Sequence, residues 1–113
     1  MIKFIVNKFN SFAAWFFDKE KLYESEYVPD IPKKLELYKV YILGGKKTPF
    51  LSVLRCPCGC GESLHMNLLT SRDPCWDLFV EPNGSVTFKP SLWKKTGCCS
   101  HFHLTNGEVK WVQ

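Results

Sequence analysis

The chain has 113 residues, 45% of them hydrophobic and 15% aromatic, with 15 lysines and arginines against 11 acidic residues for a formal net charge of +4. Such a composition supports one buried core and excludes a disordered chain. The basic excess is scattered in pairs (Lys33-Lys34, Lys46-Lys47, Lys94-Lys95) and not gathered into a stripe interleaved with stacking aromatics, so no nucleic-acid partner is expected.

Residues 2 to 17 place Ile2, Ile5, Val6, Phe9, Phe12, Ala13 and Phe16 at three- and four-residue steps, with polar residues mostly between them, which predicts an amphipathic helix. It is too short and too polar to span a bilayer. Its apolar face is expected to pack on the domain core, although Trp15, Phe16 and Phe17 also suit docking to a partner or a membrane surface. A charged segment over residues 18 to 26 and then Pro29 and Pro32 read as a connector, dividing the chain into residues 1–30, helix and connector, and residues 31–113, a β domain.

From Leu35 onward the pattern is one of short β-type runs: residues 35–43 closed by Gly44-Gly45, residues 50–54, and residues 63–69. Residues 76–80 and 85–88 flank Pro82-Asn83-Gly84, and residues 102–105 and 108–112 flank Asn106-Gly107, both hairpin signals. A mostly β domain follows, a small antiparallel sheet.

Cys56, Cys58 and Cys60 alternate through a turn built with Pro57 and Gly59, and some forty residues later come Cys98, Cys99, His101 and His103. C-x-C-x-C spacing is poor for disulfide bridging and good for chelation. Lys3, Asn7, Lys8 and Asn10 interrupt the apolar N-terminus and no small-residue cleavage site follows, so a reducing, cytoplasmic setting is expected. Zinc takes four tetrahedral ligands drawn from thiolate and imidazole, commonly two from each of two segments. Cys56, Cys58, Cys60, Cys98 and His101 compete for those four positions. The loops fit zinc-ribbon logic, and their spacing is also like that of a Rieske centre with a cysteine where the first histidine would be, which keeps a [2Fe-2S] cluster as a lesser alternative. Cys99 points opposite to Cys98 on an extended chain and reads as a bystander, Cys75 as a small buried residue, and His65 and His103 as sheet-face residues able to support the site.

The blocks Cys56-Pro57-Cys58-Gly59-Cys60-Gly61, Asn67-Leu68-Leu69, the Trp76 strand, Pro90-Ser91-Leu92-Trp93, Thr96-Gly97-Cys98, Ser100-His101-Phe102 and Gly107-x-Val109-x-Trp111 together resemble the BubE family over roughly residues 35 to 112. That family accompanies a ubiquitin-like modifier and its activating (E1-like) and conjugating (E2-like) enzymes in bacterial ubiquitination-like operons. The resemblance implies a protease, of serine type, that processes or removes the modifier, and its matching polar positions here are Ser91, Ser100 and His101. Cys99 and Cys75 depart from the basic residues expected there in relatives.

A serine nucleophile needs an imidazole to take its proton. Ser100 and His101 are adjacent and face opposite sides of an extended segment, so Ser91 with His101 is the more workable pair. His65 is a substitute base, and Asp73 or Asp77 an orienting carboxylate. In that arrangement zinc takes Cys56, Cys58, Cys60 and Cys98. A non-catalytic adaptor of the same pathway would instead close its zinc with Cys56, Cys58, Cys98 and His101, and bind partners through exposed aromatics such as Trp93.

Overall fold

The structure, a computed structural model, describes residues 22–112; the helix expected over residues 2 to 17 lies outside them. Among the described residues nine strands form three small sheets: β1 (Glu24–Tyr27), β2 (Lys39–Leu43), β3 (Leu51–Arg55) and β4 (Ser63–Asn67) in the first, β5 (Asp77–Val80) and β6 (Val86–Lys89) in the second, and β7 (Leu92–Trp93), β8 (His101–Thr105) and β9 (Glu108–Trp111) in the third. Among these residues no helix is long and apolar enough to cross a membrane.

The first sheet is antiparallel from β2 to β4, with Tyr41 opposite Val53 and Val53 opposite His65. β1 departs from the antiparallel expectation: it runs parallel to β2, Glu24 beside Lys39. Its sequence, Glu-Ser-Glu-Tyr, carries no alternating apolar signal and reads as connector, because a half-exposed edge strand is held through its backbone and by pairs such as Lys39 Nζ–Glu26 Oε1 at 3.1 Å. The chain just before and within β1 also stitches the sheets together. Tyr23 N donates to Gly107 O and Ser25 N to Gly84 O, each at 2.8 Å, tying this strand to the two glycine turns.

β2 and β3 are buried on both faces, which is why they read as continuous apolar runs, whereas β4 and β8 alternate and turn His65 and His103 outward. Tyr23, Ile42, Leu54, Met66, Phe88, Leu92, Phe102 and Leu104 close one core across the three sheets, each worth about 1.5–3 kcal/mol if fully buried. Cys56 belongs to that core, with no exposed surface. The Tyr23 hydroxyl donates to Arg55 O at 3.0 Å, fixing the backbone immediately before it.

Candidate functional site

The turn between β3 and β4 brings three thiols onto one side. Cys56 directly follows β3, and its amide donates to Glu62 O at 2.8 Å, closing the turn at its base. Gly59 lies at φ +93°, a left-handed conformation that a side chain would resist and that folds Cys58 and Cys60 back toward Cys56. The opposing loop joins β7 to β8. There Gly97 (φ +67°) and Cys99 (φ +56°) bend the chain so that Cys98 and Ser100 face the knuckle while Cys99 stays exposed. Lys94 Nζ pairs with Glu62 Oε1 at 3.1 Å across the two loops.

The result is a knot of four sulfurs, those of Cys56, Cys58, Cys60 and Cys98, all within 4.8 Å of one another. Cys56 Sγ lies 3.4 Å from Cys58 Sγ and 3.6 Å from Cys98 Sγ. Four thiolates about 2.3 Å from one ion stand roughly 3.8 Å apart in a tetrahedron, so this donor set fits a single soft divalent ion such as zinc. A two-iron cluster would split the same sulfurs between two centres and spread them farther. Burial pushes the Cys56 thiol up to about 12, while the Ser100 hydroxyl and then the Ser100 amide hold Cys98 down at about 6. Crowded thiols shed one proton readily, because neighbouring S–H and O–H groups stabilise the first thiolate, and hold the remaining protons harder.

Ser100 belongs to this knot. Its buried hydroxyl sits 3.3 Å from Cys56 Sγ and 3.2 Å from Cys98 Sγ, so its contacts are with the sulfurs. His101, next in the chain, faces the other way, outside the four-sulfur group, and its Nε2 lies 2.8 Å from Ser91 Oγ. The pairing register explains the encounter. Trp93 stands opposite His101 and Leu92 opposite Phe102, so Leu92 and Phe102 fill the core while Ser91, Trp93 and His101 share the outer face. The Trp93 ring stacks on His101, centroids 4.6 Å apart and planes 9° from parallel, and Lys95 Nζ lies 5.1 Å from the indole centroid. The Trp76 indole N–H donates to Ser91 O at 3.1 Å.

The other candidates lie apart. His65 is exposed on β4, its Nε2 3.1 Å from Ser63 Oγ. Among the described residues neither Asp73 nor Asp77 hydrogen-bonds or pairs with His101, and Asp77 stands opposite Lys89 on β5. Cys75 is half-buried and outside the knot. Two residues that contact the Ser–His pair are not assigned that role from the sequence: Trp76, which enters there as a strand of the family resemblance, and Trp93, which enters as the end of Pro90-Ser91-Leu92-Trp93 and as an exposed contact. The alternation of Ser91, Trp93 and His101 across a hairpin is the signal that finds the second.

Fold and site define a class: small, mostly β proteins in which one hairpin carries both a corner of a four-thiol knot and, on its outer face, a serine hydrogen-bonded to an imidazole. A family model described as "Bacterial ubiquitination-like system serine protease (BubE)" matches residues 27–112, and the chain belongs to that family. No curated protein and no solved structure matches the chain.

Proposed function

We propose that the chain is a zinc-stapled serine peptidase that processes or removes the ubiquitin-like modifier of a bacterial conjugation pathway, working in a reducing, cytoplasmic compartment beside that pathway's activating and conjugating enzymes. The observation that carries it is the 2.8 Å contact between Ser91 Oγ and His101 Nε2 on a surface that a substrate can reach. Family membership supplies the pathway.

In this reading His101 Nε2 accepts the Ser91 proton as Oγ attacks the scissile carbonyl, forming a C–O bond and a tetrahedral oxyanion. Collapse breaks the C–N bond, the imidazolium returns its proton to the leaving amine, and an acyl ester remains on Ser91. Water activated by the same imidazole then releases the carboxylate and restores the hydroxyl. Trp93 orients the ring by stacking, where a triad would use a carboxylate. Cys56, Cys58, Cys60 and Cys98 would hold the zinc, whose closed four-thiolate coordination supplies structure and not a reactive water.

The test is incubation of the purified chain with a ubiquitin-like precursor extended beyond its mature C-terminus. Wild type is expected to release the extension and to be silenced by a serine-reactive probe, and Ser91→Ala to leave the precursor intact while keeping its zinc. Undiminished cleavage by Ser91→Ala would refute the assignment.

A further inference from the structure

Two sheet edges flank a cleft at β7, the strand that starts one residue after Ser91. β4 ends the first sheet and β7 ends the third, and together they wall a cleft of about 240 Å3 whose lining includes Ser63, His65, Trp76, Trp93, Lys95 and Thr96. The ladder fixes which main-chain groups face it. Cys56 N donates to Glu62 O and Leu68 N to Phe50 O, so the even-numbered residues of β4 bond β3 and the odd-numbered ones turn their N–H and C=O outward. Asn67 O is taken by Trp76 N at 2.9 Å, while the main-chain groups of Ser63 and His65 have no backbone partner among the described residues. On the other wall Lys94 N donates to Ser100 O, so Trp93, one residue earlier, also turns its N–H and C=O away from its own sheet. Ser91 follows on the same edge, its carbonyl closed off by the Trp76 indole.

Unpaired strand edges recruit an extended chain as an additional strand. We infer that the substrate enters as such a strand, an extended tail whose main chain bonds Ser63 and His65 on one wall and Trp93 on the other, ending beside the Ser91 hydroxyl. This rests on the peptidase reading and adds the substrate's conformation and chemistry. The cleft's volume suits backbone with glycine-, alanine- or serine-sized side chains beside Trp76 and Trp93. Beyond Ser63 and Lys94 it continues into a wider basin of about 620 Å3 edged by Lys33, Lys34, Arg55 and Lys94, with Glu62 as the acidic exception. The part of the substrate farther from the cut bond is therefore acidic.

The test is binding to the zinc-loaded Ser91→Ala chain, so that it is read without cleavage: failure of the peptidase assay and failure of this inference appear in different experiments. The probe is a short amidated peptide with an acidic first half and a glycine–alanine second half, titrated by calorimetry. Saturable binding is expected, weakened about tenfold by single N-methylation at amides in the glycine–alanine half, since each blocked hydrogen bond is worth up to about 1.4 kcal/mol. N-methylation in the acidic half should change little, whereas lysines there should abolish binding. His65→Pro, which removes an outward N–H and no ladder bond, should weaken binding to the same degree with zinc content unchanged. Absence of saturable binding, or N-methylation costing less than twofold at every amide, would overturn the inference, and the peptide series decides this even if His65→Pro fails to fold.

Discussion

The two loops that meet at the sulfur knot are built very differently. The knuckle carrying Cys56, Cys58 and Cys60 joins two five-residue strands paired over their full length, and its first cysteine is part of the core. The loop carrying Cys98 leaves β7, a strand of two residues, and from Lys95 to Cys99 it is exposed, with Ser100 its one buried residue. The first loop holds its shape through its ladder; the second is under-determined by its own pairing. Yet it is the second hairpin that carries Ser91 and His101. A metal on the four sulfurs would therefore matter more to the hairpin that carries Ser91 and His101 than to the sheet that supplies three of the thiols.

The largest expected effects break this asymmetry outright. Cys56→Ala removes a ligand and opens the core, and should abolish zinc binding and cost several kcal/mol, lowering the melting temperature by more than about 10 °C in calorimetry. Cys98→Ser should also release zinc and end cleavage, but leave the amides of β2 and β3 protected in hydrogen exchange while those of β7 and β8 lose protection. Equal loss of protection in both regions would contradict the comparison.

Acid should reach the same end gradually. The Cys98 thiol is depressed to about 6 from an ordinary value of 9.0, so in the metal-free chain its contribution is present above pH 9 and is lost as pH falls through 6. Cys56 is raised to about 12, so its contribution is present below pH 9 and is lost as pH rises toward 12. With zinc bound, every proton returned to a sulfur competes with the ion, so zinc affinity should fall as pH falls, and cleavage should be lost together with the zinc. Activity lost well before zinc would place the acid-sensitive step elsewhere.

Part of this architecture is legible without coordinates. Cys-x-Cys-x-Cys around Pro57 and Gly59 is a local constraint, and Asn106-Gly107, with φ of 51° and 80°, forms the tight turn that such a pair announces. The opposite facing of Ser100 and His101 follows from strand geometry alone. Other features depend on tertiary context. β1 has no apolar alternation because it is an edge held by backbone bonds, and β7 is too short to leave a pattern. That Trp93 stacks on His101, and that Trp76 reaches Ser91 from fifteen residues away, is set by register and by the packing of separate sheets.

A more moderate effect isolates the outer face of the hairpin from its sulfur corner. Trp93→Ala removes the ring stacked on His101 but touches no ligand, so zinc content and melting should hold within about 1 kcal/mol. Aromatic pairs are worth about 0.5–1.5 kcal/mol, so kcat/KM on the ubiquitin-like precursor should fall about tenfold, with Trp93→Phe recovering most of it. A Trp93→Ala chain as active as wild type would show that His101 is oriented by something else.

The smallest effect tests the firm half of the molecule. Ser52, the second residue of β3, is fully buried, and its hydroxyl has no hydrogen-bond partner among the described residues. An unsatisfied buried hydroxyl costs about 1–3 kcal/mol, and a serine deleted to alanine leaves only a small void. Ser52→Ala should therefore raise stability by up to about 1 kcal/mol in denaturant melts, with zinc content and cleavage unchanged, because β3 needs neither its hydroxyl nor the metal to keep its register. If the variant is instead destabilised by that amount, the hydroxyl is satisfied in solution. If it alters cleavage, the central sheet and the hairpin that carries Ser91 and His101 are coupled more tightly than their unequal pairing implies.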